Sequence, residues 1–274
     1  MKFSKLMGLT ICLFSSLGYA DNIITTGGTI TEIVYELGAG NHVVATDTSS
    51  TYPQAAKNLP KVGYYRDLAA EGVLSMSPKQ IFALEGTGRP QVIKQIEATG
   101  VNVNYYKKPV NVEGLYRLIS KLGDDLNKQQ QAKALVKKIK TSLPKKQKLG
   151  KTKAIFVLSA GERGIIAAGQ ETVPSLLFSY TGITNIGKLH KGYKALNTEF
   201  LAVNQPDFIV APFHVVMGAG GKQTFCKQPA LRLFSAAKKC NVLVLDGLLS
   251  LGMTPRLATA IKQVSDYKEA LINE

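Results

Sequence analysis

Apolar and polar positions along this chain switch repeatedly between a two-residue and a 3.6-residue period, and the switches mark its elements. Asn22 to Thr26 is a short apolar run ending at Gly27-Gly28, as a strand does when it meets a tight turn. Thr29 to Leu37 follows the helical period, with Thr29 the expected cap and Gly38 the stop. Val43 to Thr46 and Ile81 to Leu84 read as strands, Pro90 to Ala98 as a helix that Gly100 ends, and Val101 to Tyr105 as a fourth strand. Val112, Leu115, Leu118, Ile119 and Leu122 form one helical stripe, interrupted at Gly123. Ala132, Leu135, Val136 and Ile139 form another, which opens at Asn127 and runs to about Leu143, roughly 25 Å at 1.5 Å per residue. After Gly150 the alternation restarts. Ala154 to Leu158, Phe208 to Ala211 and Val242 to Leu245 read as strands, and Val173 to Tyr180 and Pro255 to Ile272 as helices. Strands alternating with helices through short turns predict an α/β fold with parallel sheets covered by helices.

The chain also repeats itself. Glu71 stands seven residues before Pro78, which is followed by the apolar run Ile81-Phe82-Ala83; Glu199 stands in the same relation to Pro206 and Ile209-Val210-Ala211. A weaker echo links Thr29–Asn41 to Thr172–Asn185. Two copies 128 residues apart predict two Rossmann-like lobes with central parallel sheets joined by a rigid helical spine. The expected boundaries are residues 21–122 for the first lobe, 123–149 for the connector and 150–274 for the second. A cleft between two such lobes is a natural place for a small molecule.

The first 20 residues change the picture of where the chain works. Lys2 and Lys5 precede the apolar run Leu6 to Leu17, and Gly18-Tyr19-Ala20 supplies small residues for cleavage before Asp21. This reads as a signal peptide, which in a bacterium means export to the periplasm. Loss of Cys12 with it leaves Cys226 and Cys240, an even count that favours one structural disulfide in an oxidising compartment. The formal charge of +15 falls to +13 without Lys2 and Lys5. Nucleic acid is a poor partner for an exported protein, and much of the lysine lies between Lys128 and Lys153 on a solvated helical face.

The chemistry concentrates in the long segment from Tyr52 to Pro78, a loop expected at the carboxyl edge of the first sheet. Tyr64 and Arg66, two apart, are expected to point the same way in an extended loop, and Tyr65 the other way. A tyrosine that loses its proton becomes a hard anionic donor for ferric iron, and a nearby guanidinium favours that anion. These tyrosines could equally cover the core. No G-x-S-x-G elbow, H-E-x-x-H helix or paired-carboxylate signature is present, so an exported hydrolase or a haem-degrading enzyme is the weaker class and a binding protein the stronger.

Val62-Gly63-Tyr64-Tyr65-Arg66-Asp67-Leu68-Ala69-Ala70-Glu71-Gly72 resembles the tyrosine loop of periplasmic haem-binding proteins that feed haem ABC importers. Thr25-Thr26-Gly27-Gly28, Gly192-Tyr193-Lys194 before Glu199, Asp246-Gly247-Leu248-Leu249 and Pro255-Arg256 extend the resemblance over nearly the whole exported chain. It implies a monomeric receptor that binds ferric haem (haem b) as cargo and performs no reaction. Tyr64 is then the axial iron ligand and Arg66 the partner of its phenolate. Glu71 and Glu199 match the residues such receptors offer to the two permease subunits of an inner-membrane ABC transporter with its ATPase.

Some relatives place a second ligand, a histidine, where this chain has Ser159-Ala160-Gly161-Glu162-Arg163-Gly164, so a five-coordinate ferric site is expected. His190 and His214 are candidates for further haem contact, and Arg66, Arg163, Lys222 and Arg256 for the propionates. Phe213, Met217 and Leu251 are candidate apolar contacts, and Gly218 to Lys222 a loop that closes on the ligand. Receptors for cobalamin and ferric siderophores share the architecture, so either ligand is the alternative cargo.

Overall fold

The computed structural model describes residues 22–161 and 164–273, so the expected signal peptide and Arg163 lie outside the described residues. The first half runs β1 (Ile23–Thr26), α1 (Gly28–Glu36), β2 (Val43–Thr46), α2 (Gln54–Lys57), α3 (Ala70–Leu74), β3 (Gln80–Leu84), α4 (Pro90–Glu97) and β4 (Asn102–Tyr106). Two helices follow, α5 (Val112–Asp125) and α6 (Gln129–Ser142). The second half continues with β5 (Lys153–Gly161), β6 (Gly164–Ala168), α7 (Val173–Tyr180), β7 (Thr184–Asn185), β8 (Tyr193–Leu196), α8 (Thr198–Val203) and β9 (Phe208–Pro212). It closes with α9 (Phe213–Gly218), α10 (Lys222–Cys226), α11 (Ser235–Lys238), β10 (Val242–Leu245), α12 (Gly247–Leu251) and α13 (Leu257–Asn273).

The first sheet is parallel throughout, in the order β2-β1-β3-β4. The second has the expected parallel centre and adds antiparallel strands at one side. Its order is β10-β9-β5-β6-β8, with β10, β9 and β5 parallel but β5-β6 and β6-β8 antiparallel. The segment expected to be a loop at 159–164 is the top of this β5-β6 hairpin, described on either side at Gly161 and Gly164.

The central strands β1, β3 and β9 and the first half of β5 are buried on both faces, as crossover helices require. Along β1, Ile23 faces one core cluster and Ile24 another; along β5, Ala154 and Phe156 face away from Ile155 and Val157. One cluster is shared by both sheets. It joins Ile23 and Phe82 to Phe156 and Phe208 through Leu135 and Ile139 of α6 and Ile261 of α13. The connector is shorter than expected: Asn127, at φ 54°, breaks the helical path between α5 and α6, and α6 spans about 21 Å at 1.5 Å per residue. Its buried stripe, Ala132, Leu135 and Ile139, ties it to both lobes. Thr29 does not cap α1 either. Asp47 Oδ1 accepts from Gly27 N and Ser49 Oγ from Gly28 N, so the loop after β2 satisfies the turn that opens the helix.

Cys226 and Cys240 form the expected disulfide, with Cα atoms 5.5 Å apart and a sequence separation of 14. Closing a loop of this length is worth about 3 kcal/mol in the chain-entropy model. Cys226→Ala/Cys240→Ala is therefore expected to lower the unfolding free energy by about that amount in urea titrations. An unchanged urea midpoint would show that the second lobe is held without the bridge.

Candidate functional site

The carboxyl ends of the parallel strands in the two sheets face a common cleft. At one end of it the lobes touch: a Cβ on Gly28, which opens α1 after β1, would lie 2.8 Å from Leu248 of α12, which follows β10. Beside this contact, Arg256 Nε and Nη2 donate to Glu32 Oε2 at 3.1 and 2.8 Å, and the guanidinium lies 3.6 Å from the centre of the Tyr52 ring. Glu32 belongs to α1 and is fully buried. Arg256 is thus committed to a lobe-to-lobe clamp, which leaves it a poor propionate ligand.

The tyrosine loop reaches the cleft along the edge of β2. Thr46 N donates to Pro60 O at 3.0 Å, Val62 N to Thr46 O at 3.0 Å and Thr48 N to Gly63 O at 2.9 Å. Gly63 has φ 97°, a conformation that disfavours any side chain, and Tyr64 then returns to extended geometry. A 3-10 turn over Tyr65–Asp67 follows where an extended loop was expected, yet Tyr64 and Arg66 stay exposed and Tyr65 turns inward. Tyr64 is 47% exposed, whereas Tyr65 is 7% exposed. Arg66 folds back onto Tyr65, with Nε donating to its hydroxyl at 2.8 Å and the guanidinium 5.2 Å above its ring centre. The two tyrosine rings meet edge to face at 4.9 Å. Gly88 N donates to Tyr65 O at 2.8 Å and Arg89 pairs with Asp67, so the loop is anchored to the segment after β3.

Arg66 is the electrostatic centre of this region. Burial pushes the Tyr65 phenol up, against the pull of the guanidinium. Lys108, just past the end of β4, is held below the usual lysine range by burial and then by Arg66, with Glu85 opposing. Across the cleft, burial pushes up the phenol of Tyr193, at the start of β8, and Arg66 again opposes. Sequence reading singled out neither Lys108 nor Tyr193 as a site residue. The signal for Lys108 was its place after a strand that ends a parallel sheet, where ligand crevices form.

The opposite wall comes from α9, which starts where β9 ends. Phe213 and Met217, four apart on one helical face, are 56% and 53% exposed. His214 is exposed beside them, its Nδ1 2.9 Å from where a Cβ on Gly247 would stand. Leu251, at the end of α12, is half-buried against the shared core.

Two expected contacts lie outside this α9 wall. His190 is half-buried with Nε2 3.4 Å from Ala167 O, its ring against Gly169. Ala167 pairs with Val157 in the middle of β5, and its neighbour Ala168 pairs with Tyr193, so His190 sits beside the β6-β8 edge. Lys222 is exposed, but its carbonyl sits 3.6 Å from Cys240 Sγ, below the amino end of β10. The four residues of β10, about 13 Å of strand, separate it from the cleft, so the Gly218–Lys222 segment is no lid.

The repeated glutamates do match in structure. Glu71 lies in the first turn of α3 and Glu199 in the first turn of α8, and each helix leads into an interior strand, β3 or β9. Both are exposed and, among the described residues, neither carboxylate makes a hydrogen bond or ion pair.

Residues 23–248 match the model of the periplasmic binding protein family. The chain belongs to that family. Its members are substrate-binding transport proteins and not enzymes, and this periplasmic binding protein serves an ABC importer from an extracytoplasmic location. It is similar to the periplasmic haem-binding protein BhuT solved with two haems, at 29% identity and a TM-score of 0.81, covering 91% of this chain and 98% of that one. A periplasmic haem-binding protein from Pseudomonas aeruginosa is 31% identical, with a TM-score of 0.78 and coverage of 89% and 91%. The vitamin B12-binding protein of Vibrio parahaemolyticus is 26% identical over 276 residues, covering 95% and 97%.

Proposed function

We propose that this binding protein captures ferric haem in the cleft between its lobes and delivers it to an inner-membrane ABC importer, working in the periplasm after removal of residues 1–20. One observation carries the reading: Tyr64 is a half-exposed phenol on a loop bonded to the sheet on both sides and beside a cation. An anionic oxygen donor suits ferric iron, and tyrosine ligation of haem is an established mode. Exposed Phe213 and Met217 supply an apolar wall for a flat ring, and His214 stands within the same wall.

Titration of the purified protein with haemin tests this. Saturation near one equivalent with a high-spin ferric spectrum is expected of Tyr64 as sole axial ligand. A low-spin spectrum would bring in His214. Cobalamin is the competing cargo, favoured by similarity to vitamin B12-binding proteins at comparable identity. Saturable binding of cyanocobalamin without haemin binding would replace haem with it.

Glu71 and Glu199 are the contacts proposed for the two permease subunits. Their helices present one carboxylate per lobe on a chain that is otherwise strongly basic. Charge reversal at a complementary interface costs several kcal/mol. Glu71→Lys and Glu199→Lys are each expected to lower importer-dependent uptake by about tenfold or more while haemin affinity stays unchanged. Equal uptake by the double variant would reject these residues as the docking contacts.

A further inference from the structure

The carboxyl end of β4 carries a cation that the reading above does not use. Lys108 is half-buried, yet its ammonium has no hydrogen bond and no contact ion pair among the described residues. Glu85 accepts at 3.1 Å from the Lys108 backbone N–H instead. The strand ends fix its neighbourhood. Glu85 N donates to Tyr106 O at 2.8 Å, and Gly88 N to Tyr65 O at 2.8 Å, so the segment after β3 joins the Lys108 corner to the Arg66 loop. Arg66 spends one nitrogen on the Tyr65 hydroxyl and has no carboxylate partner among the described residues. Two cations, Lys108 half-buried and Arg66 exposed, are therefore linked through the segment after β3 without an anion of their own.

A groove of about 450 Å³ runs outward from Lys108 between β4 and α5, lined also by Lys107, Arg117 and Lys121. Asp125 takes Lys121, at 2.6 Å, while Lys107 and Arg117 have no partner among the described residues. The field of this corner is positive, and a cleft lined by one sign of charge draws oppositely charged ligands into it.

We infer that Lys108 is a specificity-determining residue: with Arg66 it forms a two-cation seat for carboxylates on one edge of the cargo. The inference rests on the haem reading and deepens it. A porphyrin with two propionates on one edge meets that seat, with its iron left for Tyr64. The rim of cobalamin carries amides in place of carboxylates, and an amide cannot replace an anion between two cations. The seat is thus a filter for dicarboxylate macrocycles.

The test compares haemin with haemin dimethyl ester on the full exported chain, and Lys108→Met and Lys108→Arg with the parent. The parent is expected to bind haemin about tenfold or more tighter than the ester, as charge-assisted hydrogen bonds to carboxylate require. Lys108→Met should lose about that factor for haemin and little for the ester, and Lys108→Arg should recover most of it. Tyr64-dependent absorption should be the same in all three proteins. Equal affinity of the parent for haemin and ester would overturn the seat and leave haem as the cargo. An equal loss by Lys108→Met on both ligands would reduce Lys108 to a structural residue. Absence of haemin binding by the parent would remove both readings together.

Discussion

Tyr64→Phe is expected to lower haemin affinity by about a hundredfold or more and to abolish the charge-transfer absorption of a ferric tyrosinate. The substitution removes one oxygen and keeps the ring, so packing against Tyr65 at 4.9 Å survives and the loss is assigned to the iron bond. The contrast with Tyr65→Phe sharpens the test. Tyr65 is buried, its hydroxyl is occupied by Arg66 at 2.8 Å, and burial holds its phenol neutral. Its removal should alter affinity by severalfold only, through freedom gained by Arg66. Two results would separate the alternatives in absorption titrations. If Tyr65→Phe abolishes the tyrosinate band while Tyr64→Phe keeps it, the guanidinium-bonded tyrosine is the ligand. If both variants keep the parent spectrum, the iron is held by another group and His214 is next.

What the chain revealed by itself follows from which interactions are local. Helix α1 and its Gly38 stop, the strand after each repeated proline and the stripe Ala132, Leu135 and Ile139 are set by periodicity and turn residues within a few positions. The repeat around Glu71 and Glu199 was legible because each copy must open a helix and then enter an interior strand. The antiparallel β5-β6-β8 half of the second sheet was not. Gly164–Ala168 and Tyr193–Leu196 are short, and their pairing depends on partners about 30 residues apart, with no sequence code for direction.

Some side-chain placements in the site were illegible for similar reasons. The fold of Arg66 back onto Tyr65 turns on a three-residue 3-10 turn, and the remoteness of Lys222 on which end of β10 its segment approaches. Arg256 was assigned to the ligand because arginine suits carboxylates. It does bind one, but the carboxylate is Glu32, 224 residues away, a pairing that only the tertiary fold creates.

That clamp carries the other large effect. Arg256→Met is expected to destabilise the protein by about 3–5 kcal/mol, the usual result of removing one partner from a buried ion pair. Glu32 is fully buried and the Arg256 side chain is 21% exposed, so solvent cannot take over the lost charge. The loss should depend on pH, and its sign follows from Glu32. Burial already holds that carboxyl above its ordinary value of 4.5, with the hydrogen bonds and charge of Arg256 pulling the other way. Without Arg256 only Thr254 still opposes burial, and the folded-state value rises further. A group raised in this way favours folding while protonated. Its contribution is full below the unfolded-state value and is lost as pH rises through the folded one. The gap between variant and parent should therefore be small near pH 4.5 and widen toward pH 8, as read from urea unfolding at several pH values. Glu32→Gln/Arg256→Met should recover a large part of the loss at pH 8, since no charge is then left in the interior. A gap that stays constant from pH 4.5 to 8, or a double variant as unstable as Arg256→Met alone, would place the cost in lost packing over Tyr52 instead of in the stranded carboxylate.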